Sequence, residues 1–238
     1  SEQEIQTILS GLWFFRFPPR LEKAYRAHAL TESIKTYRFN GLYALGVFAI
    51  ICMAVYRLIP EDSITSTMQA YSCALAVMVG VRIFSLFRVL DQWFNRYVTT
   101  SSIVMTTIAV YANNAIPMGA GSTLSYIGLT YILFFIYCFV GLRLQLAMMA
   151  NFVGGIVGVI LTYALGSQMD WHIMPPTFAT ASFLAMFLAY GLGRQGRINF
   201  LQSYLLNLSL EKSKKQSRED ALTGLANRRY LNEMLVVE

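Results

Sequence analysis

Charge is scarce in this chain. Asp, Glu, Lys and Arg make up 13% of its 238 residues, about half the roughly 25% usual in soluble domains. Acid is the scarcer sign, with 13 Asp and Glu against 19 Lys and Arg, and no carboxylate lies deep in any apolar run. A proton-coupled carrier would place carboxylates or broken helices at mid-membrane, so this absence argues against one. Histidine and cysteine are nearly missing too, at 2 and 3. Cys52, Cys73 and Cys138 sit inside apolar segments with no metal-ligand spacing. They read as small buried hydrophobes, which excludes a disulfide framework or a zinc site. Proline is limited to 6 residues, which lie between apolar runs or at their ends.

What the chain has is apolar length. It is 55% hydrophobic, with a mean hydropathy of +0.47, and its charges gather at the two ends. A bilayer core needs about 20 apolar residues per helix. Residues 39–59, 67–87, 98–118, 124–142, 145–165 and 174–193 reach or approach that length. The expected fold is therefore all-α: a six-helix transmembrane bundle over 39–193, amphipathic helices over 1–38, and a cytoplasmic signalling helix over 194–219. The first apolar run is short, interrupted by Arg16 and broken by Pro18-Pro19, which does not fit a cleavable signal peptide.

Basic residues near a membrane resist translocation and so fix orientation. Arg16, Arg20, Lys23, Arg26, Lys35, Arg38, Arg88, Arg96, Arg143, Arg194 and Arg197 fall on one side, while the opposite loops carry Glu61, Asp62 and Asp170. Both termini are expected in the cytoplasm. Arg57 is the exception, near the outer end of the first crossing and close in sequence to Glu61.

Ahead of the first crossing, Ile5, Ile8, Leu9, Leu12 and Trp13 form an apolar stripe suited to the membrane interface. Residues 21–37 then read as a charged amphipathic collar. Beyond the last crossing, Ile198, Leu201, Leu205 and Leu208 step by three, four and three, the a/d pattern of a coiled coil. This predicts a parallel helix pair and a homodimer. The pattern's continuation falls on Lys212 and Lys215, so the coil should loosen there. An amphipathic helix lying on its own bundle is the competing reading.

Polar side chains inside apolar spans invite functional suspicion. Arg57, Asn113, Asn114, Asp170, Trp171 and His172 cluster toward the outer face and could bind a small ligand. Arg82, Arg143 and Asn151, toward the inner face, read as orientation and packing features. Gly154 and Gly158 are spaced for close helix packing. Gly191-Leu-Gly-Arg-Gln-Gly196 matches a dinucleotide fingerprint only literally, since a membrane helix and not a strand precedes it. Its glycines fit close helix contact or a hinge. Arg88 and Asp91 read as a locally neutralised pair.

The last residues carry the most specific signal. Asp220, Leu222, Thr223, Leu225, Asn227, Arg228 and Arg229 match, in register, the D-x-L-T-x-L-x-N-R-R opening of diguanylate cyclase catalytic domains. The chain resembles a membrane-anchored member of that GGDEF family. The resemblance covers residues 220–238 by motif and the remainder by layout. It implies a homodimeric enzyme that joins two GTP, with Mg²⁺, into cyclic di-GMP at a bacterial inner membrane. The family's catalytic, GTP-binding and metal-binding residues lie beyond Glu238, so none is expected in this chain, and residues 1–238 alone should be inactive. Membrane lipid and a small extracytoplasmic or membrane ligand are the other expected partners, and nucleic acid is not. The alternatives are the sensory membrane module of another signalling protein and a small-molecule transporter.

Overall fold

The computed structural model describes residues 17–59, 61–116, 120–167 and 169–218. Among them the secondary structure is helical throughout. Six α-helices, α1 Pro19–Tyr56, α2 Glu61–Leu86, α3 Phe94–Ala115, α4 Ala120–Cys138, α5 Leu144–Ala164 and α6 Met174–Arg218, are joined by one 3₁₀ segment, Arg88–Trp93. Each overlaps one of the six expected crossings. Four of these helices are long and apolar enough to cross a membrane: α1, α2, α5 and α6. Among the described residues, length and composition therefore support four of the six expected crossings. In α4 the stretch Ser125–Cys138 is apolar but short. Polar Thr, Ser and Asn residues dilute α3. The chain divides into two compact units, Arg26–Gly193 and the chain ends, the latter described over 17–25 and 194–218.

In the larger unit α3 is the central element, packed on α2, α4 and α5. Polar and apolar residues are placed inside out relative to a water-soluble protein. Thr67, Thr99, Ser102, Thr106, Thr107, Asn113, Asn151 and Thr162 are buried, while Phe39, Leu42, Ile50, Phe152, Ile160, Phe183 and Phe187 are exposed. Some buried hydroxyls are satisfied within their own helices, as where Thr162 Oγ1 donates to Gly158 O at 2.8 Å and Ser102 Oγ to Val98 O at 2.8 Å. Such back-bonding lets a hydroxyl sit in an apolar interior without an unsatisfied donor. Cys73 is exposed and Cys52 and Cys138 are half-buried, so the expectation of three buried thiols is corrected: Cys73 lies on the apolar outer face.

The α3–α5 contact depends on glycine. A Cβ on Gly154 would stand 2.7 Å from Ile103 O and 2.7 Å from Thr106 Cβ, and one on Gly158 would stand 2.6 Å from Val110 Cβ. The backbones approach closely enough for Thr107 Oγ1 to donate to Gly154 O at 3.2 Å and for Thr106 Oγ1 to reach Asn151 Oδ1 at 2.9 Å. The spacing in the sequence and the packing agree.

Two glycines at helix ends are required by conformation. Gly166, at φ +75°, closes α5: Ser167 N donates to Thr162 O at 3.0 Å and Gly166 N to Tyr163 O at 3.1 Å, the paired bonds of a Schellman cap. Gly141, at φ +79°, turns the chain after α4, and a Cβ there would meet Ser33 Cβ of α1 at 2.9 Å. A side chain at Gly141 is thus opposed by both conformation and space.

The 3₁₀ segment is held by an ion pair that the sequence reading misassigned. Asp91 Oδ1 accepts from Arg38 Nη2 at 2.7 Å, and Arg38 Nε donates to Ser85 O. Arg88, the expected partner, is exposed. Three residues along a 3₁₀ turn eclipse one another, but the long α1 brings a better-placed guanidinium. The collar and the first crossing, expected as separate segments, form one continuous helix of 38 residues.

Candidate functional site

The chain-end unit contains a clasp built around Arg197. Pro19 opens α1 with a backbone φ suited to a helix start, and its missing N–H would be unbonded there in any case. Glu22 N donates to Pro18 O at 2.9 Å. Glu22 and Tyr25 are three residues apart and share a face of that first turn, with Phe17 just ahead of it. From α6 come Arg197 and Phe200, with the same spacing.

Arg197 Nη1 donates to Glu22 Oε2 at 2.8 Å, and the two side chains are only 19% and 15% exposed. The guanidinium carbon stands 4.4 Å from the Tyr25 ring centre and 5.2 Å from that of Phe17. Tyr25 meets Phe200 edge-on at 5.4 Å and Phe17 at 5.5 Å. The rings limit water's access to the ion pair, which strengthens it electrostatically. A planar guanidinium can pair with a carboxylate and lie against ring faces together, which an ammonium does less well. Sequence reasoning treated Arg197 as an orientation signal and missed this role. The available clue was Tyr25 and Phe200, each three residues from a member of the pair.

On the same helix the expected relay residues have unequal environments. Leu201 is 1% exposed and Leu208 is 43% exposed, with Ile198 and Leu205 half-buried between those extremes. A seam reserved wholly for a second chain would leave Leu201 bare in one copy. The upper part of the stripe is instead covered within the chain, and only its lower part is open. Gly191 and Gly193 have nothing within 4 Å of where a Cβ would stand. Close contact among the described residues therefore does not account for them.

The residues of the expected ligand site, Arg57, Asn113, Asn114, Asp170, Trp171 and His172, are brought together only in part. Asn114 Oδ1 accepts from Asp170 N at 3.2 Å, and Asn114 Nδ2 donates to Val110 O at 2.8 Å. Asp170 Oδ1 accepts from His172 N at 3.0 Å and Ile173 N at 3.3 Å, capping the turn that leads into α6. Asn113 is buried, with Nδ2 donating to Ala109 O at 2.7 Å and Oδ1 without a partner among the described residues. Trp171 is exposed, and its indole N–H donates to Tyr163 Oη at 2.9 Å. Arg57 is exposed and makes no ion pair among the described residues. Asn114 and Asp170 thus form a structural joint between α3 and the start of α6, which Arg57 does not enter.

The amphipathic stripe from Ile5 to Trp13 and the motif from Asp220 to Arg229 lie outside the described residues. No protein-family model and no curated protein matches this chain.

Proposed function

We propose that residues 1–238 are the membrane sensory and dimerisation region of a diguanylate cyclase, which passes a ligand or membrane signal along α6 to a catalytic domain beginning at Asp220. The observation that carries this reading is the seven-position sequence match from Asp220 to Arg229, which follows in sequence a 45-residue helix that runs to Arg218. Such a helix places a downstream domain at a fixed rotational setting relative to whatever holds its upper part. The Glu22–Arg197 clasp is what holds it.

In this reading both termini are cytoplasmic and six segments cross a bacterial inner membrane. Two copies pair along the open lower part of the relay stripe, from Leu205 and Leu208 onward. The chemistry needs two subunits, because each active site joins two GTP held by facing domains. GTP and Mg²⁺ belong to residues beyond Glu238, and no step through them is assigned to this chain. A signal acts by favouring one packing over another, and it can do so only through differential affinity for the two.

The long α6 would equally serve a sensory module of another signalling class, which is the second reading. One assay separates the two. Protein from the uninterrupted reading frame is supplied with GTP and Mg²⁺ and assayed for cyclic di-GMP, with the chain ended at Glu238 as the control. Product from the longer form alone supports the cyclase, and a downstream domain that makes another product supports the second reading.

A further inference from the structure

The larger unit contains a cavity of about 400 Å³ bordered by α1, α2, α3 and α4, within the roughly 300–1,000 Å³ range of ligand sites. Its lining is divided by chemistry. At one end stand Arg82, Asn40 and Tyr37, and at the other Phe48, Ile51 and Met105. No Asp or Glu lines it.

Arg82 is the informative residue. Its Nη1 donates to Ser85 Oγ at 3.1 Å, while its Nε is buried with no hydrogen-bond partner among the described residues. Asp91, in the 3₁₀ segment after α2, is already engaged by Arg38. Asn40 and Tyr37 make no side-chain hydrogen bond among the described residues. Ser101 and Ser102, also on the wall, are already spent on Val98 O at 2.9 and 2.8 Å. A buried cationic donor left open is costly, and the rule for such groups is that they are paired. Gly41 keeps the space clear: a Cβ there would stand 3.1 Å from Arg82 Cδ.

We infer that this cavity binds an amphiphile with one anionic head group, held by Arg82 with Asn40 and Tyr37, and an acyl chain laid along Phe48, Ile51 and Met105. Charge complementarity selects the head and the apolar wall selects the tail. The same chemistry is offered by an anionic lipid of the bilayer and by a free fatty-acid-like carboxylate. The inference does not depend on the cyclase reading, because it concerns binding alone.

The test uses the full chain in phosphatidylcholine nanodiscs with a long-chain fatty acid carrying a tail diazirine, followed by mass-spectrometric mapping of the photolabel. Saturable labelling near Phe48 and Met105 is expected, competed by excess fatty acid and not by its methyl ester. Arg82→Gln should lower the labelling about tenfold, as loss of a charge-assisted bond implies. Weaker labelling in phosphatidylglycerol discs identifies the bilayer lipid as the occupant, and equal labelling in both identifies the free carboxylate. Equal competition by acid and ester overturns the inference, as does unchanged labelling in a folded Arg82→Gln protein. If Arg82→Gln does not fold, the acid-against-ester comparison on the unaltered chain decides.

Discussion

Arg197 and Glu22 are 175 positions apart in the sequence and 2.8 Å apart in the fold. Their pair is walled by Tyr25, Phe17 and Phe200, so it is neither a freely hydrated surface pair nor a fully desolvated one. Removing one partner leaves a partly buried charge, which costs about 1–3 kcal/mol once its residual exposure is allowed for. Glu22→Gln and Arg197→Gln should each lower the melting temperature of the purified protein. The double variant should lose less than the sum of the two, and additive losses would show that the residues do not act as a pair.

The glycines of α5 should resist substitution. Gly154→Ala and Gly158→Ala each place a methyl within 2.7 Å of α3, an overpacking that costs about 1–3 kcal/mol. Gly46→Ala and Gly80→Ala meet nothing within 4 Å and gain up to about 1 kcal/mol in helix propensity. Thermal melting of the four variants should sort them into two groups, and a uniform response would contradict the α3–α5 packing.

Leu201 and Leu208 should separate folding from pairing. Leu201→Ala removes a buried side chain and should destabilise the single chain by about 2–5 kcal/mol. Leu208→Ala should leave melting within about 0.5 kcal/mol of the parent and weaken self-association measured by sedimentation. A Leu208→Ala protein that dimerises as before would remove this residue from the proposed seam.

Asp170 should matter more than its neighbours Arg57 and His172 of the expected ligand site. Asp170→Ala removes the acceptor of the His172 and Ile173 amides, a cap loss of about 1 kcal/mol, whereas His172→Ala and Arg57→Ala should be nearly silent in melting. A silent Asp170→Ala would mean that the turn into α6 is held by other contacts.

How much of this was legible in the sequence follows from the range of each interaction. Helix positions were readable because apolar length is a local property, and the α5 glycines because their four-residue spacing lies on one helix. The division of Leu201 from Leu208 was not, since both are leucines at equivalent positions and only tertiary contacts distinguish them. The Arg38–Asp91 and Arg197–Glu22 pairs span 53 and 175 positions, and spacing rules reach only one or two helical turns. Asp91 was therefore matched with the near Arg88 in place of the distant Arg38. Asn114 and Asp170 do meet in the fold, but a sequence does not reveal that their polar atoms are used within it, so they read there as ligand contacts. Arg82 was passed over as an orientation residue, since its open donor emerges only once the neighbouring helices are placed.

The most direct measurement is cyclic di-GMP formation by protein from the uninterrupted reading frame, assayed with GTP and Mg²⁺ beside the same protein carrying Arg197→Gln and the chain ended at Glu238. The account predicts product from the first, an altered rate from the second and none from the third. A folded downstream domain that makes no cyclic di-GMP under any of these conditions, or a rate indifferent to Arg197, would contradict it.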